Sequence, residues 1–178
     1  MRGFRILLPF LAAAAMAQQM PFVSIPPPAR DTLRFGEKLP DFEARDTSGR
    51  VWRPADLLGK YTVVDLWVAN YGMANAEHPE LERLYEQLKT NKANIQVLTF
   101  CLDLDYTHAP AYMRARHYTF PVIADWKVGM KLFGNGGGIV GGVPQQRVID
   151  PERRLAEPFH NWSAGRVLFE VERAAARK

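Results

Sequence analysis

Apolar positions along the chain fall into segments whose spacing predicts an α/β domain. Residues 61–68 and 95–102 are apolar at nearly every position, as in strands that are covered on both faces of a sheet. Between these runs, four apolar residues recur at the spacing of one helix face: Leu81, Leu84, Tyr85 and Leu88. This pattern predicts a helix over residues 74–89. Pro79 lies inside it, so the helix either begins near the proline or is kinked there.

Shorter patterns on either side complete a sheet. Residues 39–44 alternate apolar and polar, residues 46–49 form a turn cluster, and residues 51–52 resume an extended run, which predicts a β-hairpin. Further helices are predicted over 109–117, over 128–133 and from Ser163 onward, with extended segments over 120–123, 145–149 and 155–159 and a glycine-rich loop over 134–142. The predicted fold class is α/β, with a central mixed β-sheet, helices on both faces and an N-terminal β-hairpin.

The N-terminal residues predict export. Arg2 and Arg5 precede an apolar segment and an Ala-Met-Ala cleavage site, so residues 1–17 are interpreted as a signal peptide. An uncleaved anchor is the alternative. Residues 18–34 are rich in proline and predict an extended linker, followed by one domain over 35–178. The expected location is extracytoplasmic, periplasmic or secreted, with no membrane span after signal removal.

Charge and histidine spacing narrow the function classes. The chain has 23 basic and 19 acidic residues and no basic stripe interleaved with aromatic residues, so nucleic acid is not an expected partner. The four histidines lack the spacing of metal ligands. We therefore expect no metal and no other cofactor. The 178 residues contain one cysteine, Cys101, so they cannot form a disulfide with one another.

Three local patterns resemble the thioredoxin superfamily, in its exported TlpA-like or redoxin branch related to AhpC/TSA proteins. The first is Leu-Pro-Asp-Phe at 39–42 with Asp-Thr-Ser-Gly-Arg at 46–50. The second is Val-Asp-Leu-Trp-Val-Ala at 64–69, followed by Pro79. The third is Gly-Val-Pro at 142–144 before a strand, where the family has a cis-proline. The resemblance implies a thioredoxin-like fold and a kink of the helix at Pro79.

The chain departs from the family where its chemistry would be. After residues 67–70 the family has Cys-x-x-Cys, whose first thiolate attacks a disulfide and whose second resolves it. The matching residues in this chain are Tyr71, Gly72, Met73 and Ala74. A phenol cannot exchange a disulfide, and alanine offers no reactive group. We therefore expect no catalytic residue of the family type.

Two further residues have a functional and a structural interpretation. Asp65 matches the buried acid that serves the resolving cysteine in thioredoxin; without that cysteine, it is expected to be a strand acid satisfied by hydrogen bonds or water. Cys101 lies in an apolar strand, where an unreactive core thiol is favoured over a reactive one. We expect this cysteine one strand away from the site turn.

Two functions remain open from the sequence. The first is a redox-inactive binding module, a pseudoenzyme that holds an extended peptide or exported protein beside the cis-proline. Its binding candidates are Trp67, Tyr71, Met73, Val143 and Pro144. The second is a thiol–disulfide oxidoreductase or antioxidant enzyme that acts through Cys101 or a partner's thiol.

Overall fold

The computed structural model describes residues 33–72, 75–90, 94–133 and 145–159, together with Arg166 and Phe169. The described strands are β1 (Ala44–Arg45), β2 (Val51–Trp52), β3 (Tyr61–Trp67), β4 (Ile95–Cys101), β5 (Val122–Ile123), β6 (Gln145–Ile149) and β7 (Leu155–Phe159). The described helices are α1 (His78–Thr90), α2 (His108–Arg116) and α3 (Trp126–Phe133), with one 3-10 turn at Pro54–Leu57. The predicted signal segment, linker, glycine-rich loop and most of the last helix lie outside the described residues.

The strands confirm the predicted α/β class with a mixed sheet. Five strands pair in the order β5-β4-β3-β6-β7, and the hairpin strands β1 and β2 form a separate antiparallel pair. Strand β3 is parallel to β4 and antiparallel to β6. The two long apolar runs therefore lie side by side at the centre of the sheet, where both faces must be covered.

Helices cover both faces of this sheet. Alternate residues of β3 point to opposite sides, so Val63 and Trp67 pack with Leu81 of α1 and with Tyr112 of α2. On the other face, a second group of apolar residues joins β3 to α3 and to the N-terminal segment: Val64, Leu66, Leu132, Phe133, Leu39 and Phe42. None of the helices in the described ranges is long and apolar enough to cross a membrane.

Several predicted boundaries differ from the structure. Helix α1 begins at His78 rather than Ala74, which makes Pro79 its second residue. A proline in the first turn has no intrahelical N–H partner to lose, so the position is compatible with a regular helix and no kink is required there. The predicted hairpin strand over 39–44 pairs only from Ala44, although Leu39 and Phe42 are buried.

Candidate functional site

The candidate site is the turn that follows β3. Its backbone closes through a hydrogen bond from the Tyr71 N–H to the Val68 carbonyl, 3.4 Å. The Tyr71 side chain is 46% exposed, and Gly72 is also exposed. Met73, Ala74, Val143 and Pro144, which the sequence assigned to the same site, lie outside the described residues. The position that corresponds to the family's attacking cysteine is thus a surface-exposed phenol.

Two buried polar side chains hold this turn. The Asn75 amide donates to the carbonyls of Val68 and Ala69, at 3.0 and 2.9 Å. The Ala69 N–H in turn donates to Asp103 Oδ2, at 2.7 Å. Sequence analysis missed both residues. Asp103 could have been noticed, because it follows the C-terminal end of β4, next to the C-terminal end of β3.

Asp65 is buried below the turn and both of its carboxylate oxygens have partners. Oδ1 accepts a hydrogen bond from the Gln146 amide, 3.0 Å, and Oδ2 lies 3.3 Å from Nε2 of His78. The other ring nitrogen of His78, Nδ1, is 3.0 Å from the Tyr112 hydroxyl. Because a carboxylate only accepts, Nε2 carries a proton, and a neutral ring then accepts the Tyr112 O–H at Nδ1. These contacts match the interpretation of Asp65 as a hydrogen-bonded strand acid.

Aromatic rings enclose His78 from several sides. The rings of Trp67 and Phe120 contact it edge-on, with centroids 4.8 and 5.4 Å away. Burial raises the pKa of Tyr112 to about 12, although Arg116, stacked on the same ring at 4.3 Å, opposes this rise. Sequence analysis considered His78 only as a metal ligand. Its position three residues before Leu81, on the buried face of α1, was the available signal.

Trp67 occupies a different position from the one expected of a binding residue. Its relative exposure is 0%, and its indole N–H donates to Thr99 Oγ1, 3.2 Å. A partner on the surface cannot reach this ring. The assignment of Trp67 to a binding surface is therefore wrong. Side chains of β3 alternate between the two faces of the sheet, and position 67 points into the core that α1 and α2 cover.

Cys101 ends β4, directly opposite Trp67 in the parallel pair of β3 and β4. This is the predicted position, one strand away from the turn. The thiol is 1% exposed and donates to Asp103 Oδ2, 3.3 Å. Burial raises the pKa of this thiol, and the negative charge of Asp103 raises it further. Both effects keep the sulfur protonated at neutral pH, whereas disulfide exchange needs a thiolate.

Curated relatives of the chain are redox proteins. A stretch of 130 residues is 27% identical to the thiol-disulfide oxidoreductase ResA of Bacillus thuringiensis and covers 72% of this chain and 70% of the relative. The thiol-disulfide oxidoreductase ResA of Bacillus cereus is 26% identical over 130 residues, which again cover 72% of this chain and 70% of the relative. These relatives place the chain close to thiol–disulfide oxidoreductases.

Solved structures share the fold at low sequence identity. A secreted thiol-disulfide isomerase from Corynebacterium glutamicum aligns with a TM-score of 0.61 at 17% identity and covers 80% of this chain and 89% of its own. A thioredoxin family thiol:disulfide interchange protein from Chlorobium tepidum aligns with a TM-score of 0.59 at 19% identity, covering 82% and 97%. The fold is therefore thioredoxin-like.

The model of the AhpC/TSA family matches residues 35–157, more than half of the chain, and the protein belongs to this family within the thioredoxin superfamily.

Proposed function

We propose that the protein is an exported, redox-inactive member of its family that binds an extended segment of another exported protein. The proposed binding surface comprises Tyr71 and the residues that the family resemblance associates with it, Met73, Val143 and Pro144. One observation carries the proposal: an exposed phenol stands where the family places its attacking thiolate, while the single thiol of the chain is buried.

The surroundings of the turn support binding rather than exchange chemistry. Tyrosine provides a large apolar area and one hydroxyl at a small cost in conformational entropy, which suits a recognition surface. Hydrogen bonds to the side chains of Asn75 and Asp103 hold the turn in place. A preorganised surface loses less entropy when a partner binds. In the family, the backbone beside the cis-proline pairs with an extended substrate, and such pairing does not require cysteine.

Export is part of the proposal. It rests on the basic and apolar pattern of residues 1–17 and on a secreted isomerase among the proteins that share the fold. Expression of the full chain followed by fractionation and mass spectrometry of the mature N-terminus tests it. Cleavage after Ala17 in the exported fraction is expected. Retention of the uncleaved chain in a membrane fraction would identify an anchor instead.

Insulin reduction by dithiothreitol tests whether the protein is redox-inactive. The wild-type chain and the Cys101→Ala variant are both expected to react at the rate of the buffer alone, because the buried thiol provides almost no thiolate. A double variant, Tyr71→Cys with Ala74→Cys, serves as the positive control, since it restores the family motif on the same scaffold. Turnover by the wild-type chain that disappears in Cys101→Ala would instead establish the oxidoreductase function.

Capture from the exported fraction tests the binding surface. The wild-type chain, immobilised through its C-terminus, is expected to retain a defined partner, and Tyr71→Ala is expected to lower its recovery by about tenfold, the effect of losing one aromatic anchor. Met73→Ala is also expected to lower the recovery of this partner. Leu58→Ala is the matched control, because Leu58 is also exposed, at 54%, but precedes β3 at the opposite end of that strand. Equal recovery with all of these variants would contradict the proposed surface.

A further inference from the structure

A cleft of about 680 Å³ lies between the hairpin turn and α2. Its walls are the turn between β1 and β2, the C-terminal end of α2 and the segment that leads into β5; we call it the hairpin cleft. A neighbouring depression of about 160 Å³ shares four of its residues, Arg50, Trp52, Tyr85 and Pro121, and reaches Ile95. Ile95 pairs with Tyr61 at the start of β3, whereas the Tyr71 turn follows its end. Seven strand residues span about 20 Å, so the neighbouring depression is far from the Tyr71 turn, and the hairpin cleft shares no lining residue with that turn.

A half-buried aromatic residue, Tyr118, lines the cleft, and its ring packs against Phe120 in the core. The rings of Tyr118 and Phe120 are stacked, with centroids 5.5 Å apart and planes 28° apart. Trp52 and Met113 are buried beside them and also line the cleft. Aromatic surface of this kind stacks well against a planar group, in offset or edge-to-face geometry.

Positive charge lies at the rim. The Arg50 guanidinium lies 3.9 Å from the centroid of the Trp52 ring, and its contact with Asp56 is long, at 3.7 Å. Arg114 is exposed, and among the described residues no carboxylate forms an ion pair with it. His117 adds a basic side chain at the same rim. Guanidinium groups with free donors favour carboxylate, sulfonate or phosphate ligands.

Acidic side chains near the cleft do not cancel this charge at the rim. Asp46 alone is acidic among the described lining residues, and it is buried. Its Oδ1 accepts from the N–H groups of Ser48 and Arg50, and its Oδ2 accepts from the Trp52 indole. Glu82 lies behind the wall, where its carboxylate accepts from the N–H groups at 119 and 120. Glu86 also accepts from the lining residue Thr119, and it is paired with Lys89. All three carboxylates are therefore directed at the protein's own donors.

The shape of the cleft favours a small molecule over a peptide strand. Strand β5 is the edge of the sheet, but the hairpin already occupies its outer side, with Thr47 N–H donating to the Val122 carbonyl at 2.8 Å and a bridge from Asp46 to Ile123. A peptide cannot add to an edge that is already paired. The volume is in the range of small-molecule sites.

We infer that the hairpin cleft binds a small anionic ligand with a planar aromatic group. The aromatic part stacks on the half-buried Tyr118, whose ring is supported by the buried Phe120, and the anionic group is held by Arg114 and Arg50. This site does not depend on the function proposed for the Tyr71 turn.

Titration of the 15N-labelled protein with 2-naphthoate, followed by NMR, tests this inference, with 2-naphthamide as the uncharged analogue of the same shape. We expect saturable shifts at the Trp52 indole and at residues 117–120, with the amide binding at least about fivefold more weakly, because it loses the charge-assisted hydrogen bonds. Arg114→Gln is expected to lower the 2-naphthoate affinity by about tenfold.

Arg83→Gln is the matched control, because Arg83 is an exposed arginine of α1 that does not line the cleft. The affinity of this variant for 2-naphthoate is expected to equal that of the wild type. The inference is overturned if no cleft resonance shifts at about 5 mM naphthoate, a concentration that detects even millimolar affinity. Equal affinity for the naphthamide would also overturn it, as would shifts confined to the Tyr71 turn.

Discussion

The His78→Ala variant is expected to lose about 3–5 kcal/mol of unfolding free energy, the cost of removing one partner of a buried polar pair. The ring is 1% exposed, and its removal leaves a cavity among Trp67, Tyr112 and Phe120. It also leaves the Asp65 carboxylate with only its Gln146 partner among the described contacts. Urea unfolding monitored by tryptophan fluorescence and circular dichroism measures the change.

A double-mutant cycle separates the contact from the cavity. Asp65→Ala alone is expected to be costly, but its cost in the His78→Ala background should be smaller by about 1–3 kcal/mol if the two side chains interact. His117→Asn is the surface control and should stay within about 0.5 kcal/mol of the wild type; asparagine tolerates the left-handed backbone at that residue. Strict additivity of the two core changes would show that the His78–Asp65 contact contributes nothing beyond packing.

The Arg147→Met variant is expected to gain about 1–3 kcal/mol of unfolding free energy, because an apolar side chain replaces a charge that is desolvated and has no anionic partner among the described residues. Arg147 is 3% exposed, and within the described part of the chain it donates to the Gln146 carbonyl, 3.0 Å, and to Gln145 Oε1, 2.6 Å. Burial lowers its pKa to about 10. A lowered pKa in a base means that folding disfavours the charged form. At pH 7 the group is charged in both states, so the cost is fully present there and declines only above pH 10.

Two matched changes make the Arg147 result interpretable. Arg147→Lys keeps the charge with fewer donors and is expected to be less stable than the wild type. Arg83→Met makes the same chemical change at an exposed position of α1 and should alter stability by no more than about 0.5 kcal/mol. A loss of stability in Arg147→Met, measured by urea unfolding, would mean that the buried guanidinium has an anionic partner in the folded protein.

Asp65 shows how a buried acid is satisfied in this scaffold. The acid that would receive a proton from a resolving cysteine is held by His78 and Gln146. These hydrogen bonds join β3 to β6 and, through His78 and Tyr112, to α1 and α2, so the buried network stabilises the packing of the sheet against its helices.

Much of the fold could be predicted from the chain. The continuous apolar runs of β3 and β4 predicted central strands, since only strands covered on both faces are apolar throughout. The helical face of α1 was also predicted, but its start was not, because the periodicity of apolar residues does not mark the first hydrogen-bonded turn. At the site, Tyr71 was identified from its place after the strand, and its exposure agrees with the binding interpretation.

The partners of the polar residues were decided only by the tertiary structure. Asp65 meets Gln146 across 81 positions, and Ala69 meets Asp103 across 34. Strand pairing, not local pattern, brings such residues together, and the direction of each side chain depends on the register of β3 against β6. The same holds for Trp67, whose ring is in the core, and for the hairpin cleft, which forms where three distant segments meet. The amino-acid sequence by itself determined the central strands and the absence of the family's cysteine pair, because burial pattern and residue identity are local properties. Long-range contacts decided which polar groups are satisfied and which surfaces are open to a ligand.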